Sequence, residues 1–129
     1  MTGFSLSQLL LVGTGGFLGS VGRYLVGVLA YRLVPIQVFP LGTLVVNIVG
    51  CFGIGVMGRM VELQGSPDPS LRLFVLVGLL GGFTTFSAFA AESVGLAQAG
   101  HPGRAALNVA LQVVVGLAAA WAGYQLMEG

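Results

Sequence analysis

The sequence predicts an all-α membrane protein built from four transmembrane helices. Apolar residues make up 56% of the 129-residue chain and charged residues only 7%, against about 25% charged residues in an average soluble domain. Four apolar segments each reach the roughly 20 residues that a helix needs to cross a bilayer. The 22 glycines fit this class, because small residues let neighbouring spanning helices approach closely.

Proline and capping residues help to place the ends of these helices. Pro40 suits the first turn of the second helix, where its missing N–H costs nothing. Asp68 suits the N-cap of the third helix, and Pro69 suits its first position. The chain is predicted to form one membrane domain over residues 1–129, with both ends on one side of the membrane. The predicted segments lie at about residues 5–34, 40–60, 71–97 and 103–126.

The third segment contains a stretch, residues 77–92, that is poorly suited to a continuous helix. Non-helical backbone at membrane depth survives only when it is buried in protein or lines an aqueous cavity. We therefore predict that the third helix is broken in mid-membrane, with freed carbonyl oxygens that could hold a small hard cation such as Na⁺. A glycine kink that eases helix packing is the alternative. The residues that favour a break are Gly81, Gly82, Thr84, Thr85 and Ser87.

The other three segments each carry one stripe of small or polar residues at four-residue spacing, which is the spacing of a single helix face. Such stripes are expected in a helix bundle with a polar interior. The stripes are Gly15, Gly19, Arg23 and Gly27 in the first segment; Thr43, Asn47, Cys51 and Gly55 in the second; and Asn108, Gln112, Gly116 and Ala120 in the fourth.

Two kinds of uncharged residue could serve an ion pathway. An amide in mid-span must find partners or cost several kcal/mol, so Asn47 either joins helices or, with Thr43 and the hydroxyls of the third segment, belongs to a track of hydrogen-bond donors. Such a track suits a small anion that sheds water only for replacement donors. Phe86 and Phe89 share a face just past the predicted break, where they either pack or turn positive ring edges toward an anion.

Arg23 and Glu92 are charged residues within the predicted spans, and such residues are functional candidates by default. Arg23 either shapes the electrostatics of an anion route or bonds carbonyl groups at a helix interface. Glu92 is either a proton-coupling carboxylate or a residue near the membrane edge. The sequence leaves both choices open.

The arginines at the ends of the predicted spans are evenly divided between the two sides of the membrane. Arg59 and Arg72 lie on the side of the N-terminus, and Arg32 and Arg104 lie on the other. Orientation normally follows an excess of Lys and Arg on the cytoplasmic side, and this chain has none. Such a chain can insert both ways and form an antiparallel homodimer, or the balance can be chance.

Several function classes find no support in the sequence. The chain has one histidine and one cysteine, and it contains neither a nucleophile elbow nor a phosphate-binding loop. The net charge of +1 and the lack of a basic cluster argue against nucleic acid as a partner. We expect that the protein is not an enzyme.

Three motifs resemble the bacterial fluoride channels, the Fluc or CrcB family. They are GGFLGSVGRY at 15–24, GTLVVNIVGCFGIG at 42–55 and GLLGGFTTFSAF at 78–89. The resemblance covers three of the four segments in order. It implies an antiparallel, dual-topology homodimer in the bacterial cytoplasmic (inner) membrane, with two pores through which F⁻ leaves the cell passively and its toxicity is lowered.

The resemblance also implies roles for individual residues. It places a structural, untransported Na⁺ at backbone carbonyls that match Gly81 and Thr84, and it gives the first-segment arginine, Arg23, a structural or electrostatic role. The family often has a small hydroxyl residue where this chain has Gln112, with Asn108 one turn earlier, and here the chain departs from the pattern. The implied pore residues are Asn47, Phe86, Phe89, Thr43, Ser87 and Thr85.

Two other functions compete with the channel. A proton-coupled small multidrug exporter is also a four-span dimer, and it would need Glu92 as its titratable carboxylate. Loss of transport in Glu92→Gln and uptake of organic cations driven by a pH gradient would favour it. A non-transporting membrane scaffold would pass no ion in liposomes.

Overall fold

The structure is a computed structural model, and it describes residues 3–35, 39–64 and 68–128. All regular secondary structure in these ranges is helical. The prediction of four long apolar helices is confirmed, since four helical stretches are long and apolar enough to cross a membrane. They are Leu6–Leu33, Leu41–Leu63, Pro69–Gln98 and Pro102–Leu126.

The helices are numbered here in chain order. The first two are α1, Leu6–Leu33, and α2, Leu41–Gln64. The third stretch has two parts: α3, residues 69–83, which is π-helical over Leu73–Leu80, and α4, Phe86–Gln98. The last is α5, Pro102–Leu126, which is π-helical over Leu111–Val115.

Side chains close the first turns of α1 and α3. The Ser5 hydroxyl accepts a hydrogen bond from the Gln8 N–H at 3.3 Å, and the Ser5 N–H donates to the Gln8 side chain at 2.9 Å, which is a capping box. Asp68 accepts from the Ser70 N–H at 3.1 Å, with Pro69 at the first position, as predicted. Helix α2 continues to Gln64, past the predicted end near residue 60.

Close backbone contacts pair the helices. Helix α1 packs mainly on α3, and α2 packs mainly on the second half of α5. A Cβ atom at Gly15 would collide with the carbonyl oxygen of Phe74, and a Cβ atom at Gly55 would collide with that of Ala120. The small residues of the stripes are therefore used for close helix packing, as small residues are in membrane proteins generally.

Much apolar surface remains uncovered in a single chain. Large side chains such as Phe17 and Trp121 are about two-thirds exposed, at 67% and 66%. Val46, at 1% exposure, is among the few deeply buried apolar residues in the described ranges. An apolar exterior of this kind suits contact with lipid or with another membrane protein.

Candidate functional site

The site begins where α3 ends. Thr84 and Thr85 have extended backbone torsion angles, φ/ψ of −84°/156° and −151°/116°. The N–H and the hydroxyl of Thr84 both donate to the carbonyl of Leu80, at 3.1 and 3.0 Å. The Thr85 hydroxyl then accepts from the Ala88 N–H at 3.2 Å and caps α4. Threonine is a favoured N-cap residue, so the Thr-Thr pair suits the end of one helix and the start of the next.

Asn47 of α2 binds both backbone groups of Thr85. The Thr85 N–H donates to Asn47 Oδ1 at 2.8 Å, and Asn47 Nδ2 donates to the Thr85 carbonyl at 2.9 Å. The same nitrogen also donates to Oε1 of Gln112, on α5, at 3.0 Å. The Asn47 side chain thus pairs with both backbone hydrogen-bonding groups of Thr85 and connects three spans. Of the two roles considered for Asn47 in the sequence, the structure contains the joining of helices.

Arg23 approaches the same region from α1. Its Nε donates to the carbonyl of Gly82 at 3.2 Å. Of the two roles considered for Arg23, the structure therefore contains the contact with a helix carbonyl. Arg23 also lines a cavity, so its hydrogen bond to Gly82 is compatible with an electrostatic role.

A cavity of about 520 Å³ lies between α1, α2 and α4. It gathers charged and polar side chains that are far apart in the sequence. The Thr43 hydroxyl donates to Oε2 of Glu92 at 3.0 Å, while Oε1 of Glu92 is enclosed and has no partner among the described residues. Its polar lining includes Arg23, Tyr31, Thr43, Thr85 and Glu92.

A second cavity, of about 330 Å³, has a more aromatic wall. The rings of Phe86 and Phe89 meet edge to face, with centroids 5.3 Å apart and an angle of 68° between the planes. Thr85 borders both cavities, so the two adjoin there. The wall also includes Asn47, Gly81, Thr84 and Gln112.

The remaining predicted site residues lie around these cavities. Ser87 is exposed, and its Oγ is 3.3 Å from Oγ1 of Thr85. Asn108 is fully buried and donates to Oγ of Ser93 at 2.9 Å. Asn108 belongs to the wall of neither cavity, unlike Gln112 one turn later. The structure thus separates the two polar residues that the fourth segment offered.

Sequence reasoning missed a polar cluster at the other end of α2. Arg59 Nη1 donates to Glu62 at 3.0 Å and to the hydroxyl of Tyr124 at 3.2 Å, and its guanidinium lies 5.0 Å from the centre of the Tyr124 ring. Glu128 is 3.6 Å from Arg59 Nη2. The three-residue spacing of Arg59 and Glu62 on one helix face was the available signal. The cluster joins the ends of α2 and α5.

The fold and the two cavities define a multi-pass membrane protein with a polar interior. The family described as "CrcB-like protein, Camphor Resistance (CrcB)" matches residues 10–124. The chain belongs to this family, as its motifs suggested.

Relatives of known name cover nearly the whole chain. A protein of Rhizobium etli is 45% identical over 121 residues, which is 94% of this chain and 96% of the relative. One from Agrobacterium fabrum is 47% identical over 116 residues, or 90% and 92% of the two chains. One from Methylobacillus flagellatus is 40% identical over 121 residues, or 94% of each. All three are named "Fluoride-specific ion channel FluC".

These comparisons bear on the functions that the sequence left in competition. The family is one of ion channels, so the expectation that the protein is not an enzyme is confirmed. The three relatives are named as fluoride channels, and none of the three is named as a multidrug exporter.

Proposed function

We propose that this protein is a fluoride channel that lets F⁻ leave the bacterial cell passively through the cytoplasmic membrane and so lowers its toxicity. The active form in this proposal is an antiparallel, dual-topology homodimer with a structural Na⁺. The names and identities of the relatives support fluoride as the ion. The structural support is the pair of cavities that adjoin at Thr85.

The cavity of about 520 Å³, called the polar cavity below, provides an entry for an anion. Arg23 supplies positive charge and the Thr85 hydroxyl supplies a hydrogen-bond donor, while the Thr43 hydroxyl donates to Glu92 in this structure. Fluoride is small and strongly hydrated, so it leaves water only where donors replace its hydration shell. The 520 Å³ of this cavity leaves room for an anion that still carries water molecules.

The second, smaller cavity, which Phe86 and Phe89 line and which is called the phenylalanine cavity below, continues that route. Aromatic rings carry positive potential at their edges, and the Phe86–Phe89 pair stands edge to face in its wall. An anion that passes ring edges keeps a favourable electrostatic contact while apolar surface excludes bulk water. We propose Asn47, Phe86, Phe89, Thr43, Thr85 and Ser87 as residues that line the pore.

A second copy of the chain would cover the site. Phe86 is 77% exposed in the single chain, and Gly81 and the Ser87 hydroxyl beside it are exposed as well. Polar groups that face lipid are costly, whereas the same groups facing a partner can complete a pore. The balanced arginines permit insertion in both orientations. Both observations support an antiparallel homodimer.

The carbonyls of Gly81 and Thr84 suit a small cation such as Na⁺. In a continuous α-helix they would accept from the N–H groups of residues 85 and 88. Here the Thr85 N–H donates to Asn47, and the Ala88 N–H donates to the Thr85 hydroxyl. Carbonyl oxygens released in this way are ligands for hard cations. A second copy across a two-fold axis would double their number, and the bound charge would help to hold the two chains together.

Ion efflux from liposomes tests the proposed function directly. Liposomes that contain the purified protein and are loaded with both anions should lose fluoride and retain chloride, as read by two ion-selective electrodes. Protein-free liposomes are the control for leakage. Equal loss of both anions would replace the proposal with an unselective anion pathway, and retention of both would contradict it.

Replacement of Na⁺ tests the proposed cation site. When Na⁺ is exchanged for a bulky organic cation throughout purification and assay, we expect fluoride efflux to fall, because the Gly81 and Thr84 carbonyls would lose the cation that they coordinate. Return of Na⁺ should restore efflux. A channel that is equally active in both cations would contradict a structural Na⁺ while leaving fluoride conduction intact.

A further inference from the structure

The amide of Asn47 has no hydrogen left for an anion. A side-chain amide nitrogen carries two hydrogens. One of them binds the Thr85 carbonyl at 2.9 Å, and the other binds Oε1 of Gln112 at 3.0 Å. The Asn47 oxygen accepts from the Thr85 N–H at 2.8 Å. Asn47 is therefore fully engaged in holding the structure.

These contacts also fix the orientation of both amides. A backbone N–H can only donate and a backbone carbonyl can only accept, so Thr85 determines which side of Asn47 carries oxygen and which carries nitrogen. The nitrogen of Asn47 then requires an acceptor on Gln112, which must be Oε1. The Nε2 of Gln112 consequently faces away from Asn47. The choice between the two flipped forms of each amide thus follows from the backbone.

The N–H donors of Gln112 remain unused. Nε2 is enclosed in the protein and has no hydrogen-bond partner among the described residues. Gln112 forms part of the wall of the phenylalanine cavity, together with Phe86 and Phe89. It lies in the π-helical segment Leu111–Val115 of α5, and short π-helical segments often occur at functional sites. An enclosed donor without a partner is costly, and a small anion that reached Nε2 from the adjoining cavity would satisfy it.

We infer that Gln112, and not Asn47, donates the amide N–H to the anion beside the phenylalanine pair, and that Asn47 is the positioning residue that sets its orientation. The inference rests on the proposed fluoride function. A small anion is a strong hydrogen-bond acceptor, and hydrogen bonds to a charged partner are about twice as strong as neutral ones. Gln112 thereby supplies a donor from α5, where the family pattern would have placed a hydroxyl.

Substitution of Gln112 tests the inference by the dependence of efflux on fluoride concentration. In Gln112→Met, which keeps the length of the side chain and removes the donors, we expect the half-saturating fluoride concentration to rise by about tenfold. Gln112→Glu, which keeps an oxygen for Asn47 and removes the N–H groups, should show at least as large an increase. Gln125→Met, the same exchange near the end of α5, is the matched control and should behave as the wild type.

A spectroscopic measurement on the unmodified sequence covers the case in which these variants fold poorly. In protein labelled with ¹⁵N-glutamine, one side-chain NH₂ signal that Gln125→Met retains should shift on addition of fluoride and not of chloride. A signal that stays in place, or unchanged half-saturation in both Gln112 variants while the wild type conducts fluoride, would overturn the inference alone. A wild type that passes no fluoride would instead contradict the proposed function.

Discussion

Gly55→Ala is expected to lower the free energy of unfolding by about 3 kcal/mol, the largest loss among single-methyl changes in α2. The added Cβ would collide with the Ala120 carbonyl oxygen and lie 2.8 Å from the Ala120 carbonyl carbon and 3.0 Å from the Tyr124 nitrogen. All three are backbone atoms of α5, which cannot rotate away as a side chain can. The two helices would have to separate along their main contact. Thermal unfolding in detergent, followed by circular dichroism, measures the effect.

Gly58→Ala is the matched control for this prediction. Gly58 lies on the same helix less than one turn later, and a Cβ there would meet nothing within 4 Å. Alanine is favoured over glycine in a helix by about 1 kcal/mol, so this variant should be as stable as the wild type or slightly more stable. Similar unfolding temperatures for the two variants would show that α2 and α5 do not approach as closely as described.

The four-residue stripes show how far the sequence predicts helix packing. The spacing of Gly15 and Gly19 identifies the face of α1 that packs closely, because residues four apart lie on one face of any helix. It does not identify the partner. Three of the four segments carry such a stripe, so the pairing of α1 with α3 and of α2 with α5 depends on how the surfaces fit together. That information lies in contacts between distant residues and not in the pattern of one helix.

The polar site shows the same division between local and long-range information. The composition of residues 77–92 indicated that the backbone would leave its regular pattern, and Thr84 and Thr85 are extended. Threonine is a favoured N-cap residue, so local preference alone could have indicated that Thr85 caps a helix. The bonds of Asn47 to Thr85 and of Thr43 to Glu92 join residues 38 and 49 positions apart, and no periodicity specifies such partners.

The π-helical segments carried no signal in the sequence. Leu73–Leu80 is a run of apolar residues that is as well suited to an ordinary α-helix, because both forms bury their backbone hydrogen bonds within the segment. The choice between them is made by packing. For the same reason the sequence could name Gln112 as a candidate but could not say which of its amide atoms is engaged.

Asn47 has both a structural role and a proposed functional role, and the same hydrogen bonds serve both. Its three hydrogen bonds hold the Thr85 backbone and orient Gln112, and the same Thr85 adjoins both cavities. The released carbonyl of Gly81, proposed as a Na⁺ ligand, also depends on Asn47, since Asn47 engages the Thr85 N–H. Removal of the Asn47 amide should therefore affect stability, the dependence on Na⁺ and anion conduction together.

Asn47→Leu is expected to lower the free energy of unfolding by about 2–4 kcal/mol and to abolish fluoride efflux. Leucine has a similar size but leaves the Thr85 N–H, the Thr85 carbonyl and Gln112 Oε1 without their partner. Unpaired backbone groups are particularly costly away from water. The Thr85 N–H would be free to bond the Gly81 carbonyl, which removes one proposed ligand of Na⁺. Thermal unfolding in detergent and fluoride efflux from liposomes measure the two effects.

Asn108→Leu separates this prediction from the general cost of removing a buried amide. Asn108 is more deeply buried than Asn47 but makes one side-chain bond, to Ser93, and its Oδ1 has no partner among the described residues. The Ser93 hydroxyl can turn to a carbonyl of its own helix, so this variant should lose less than about 1 kcal/mol. If both leucine variants were equally destabilised, burial alone would explain the effect. The hydrogen bonds of Asn47 to Thr85 would then have no special part in shaping the pore.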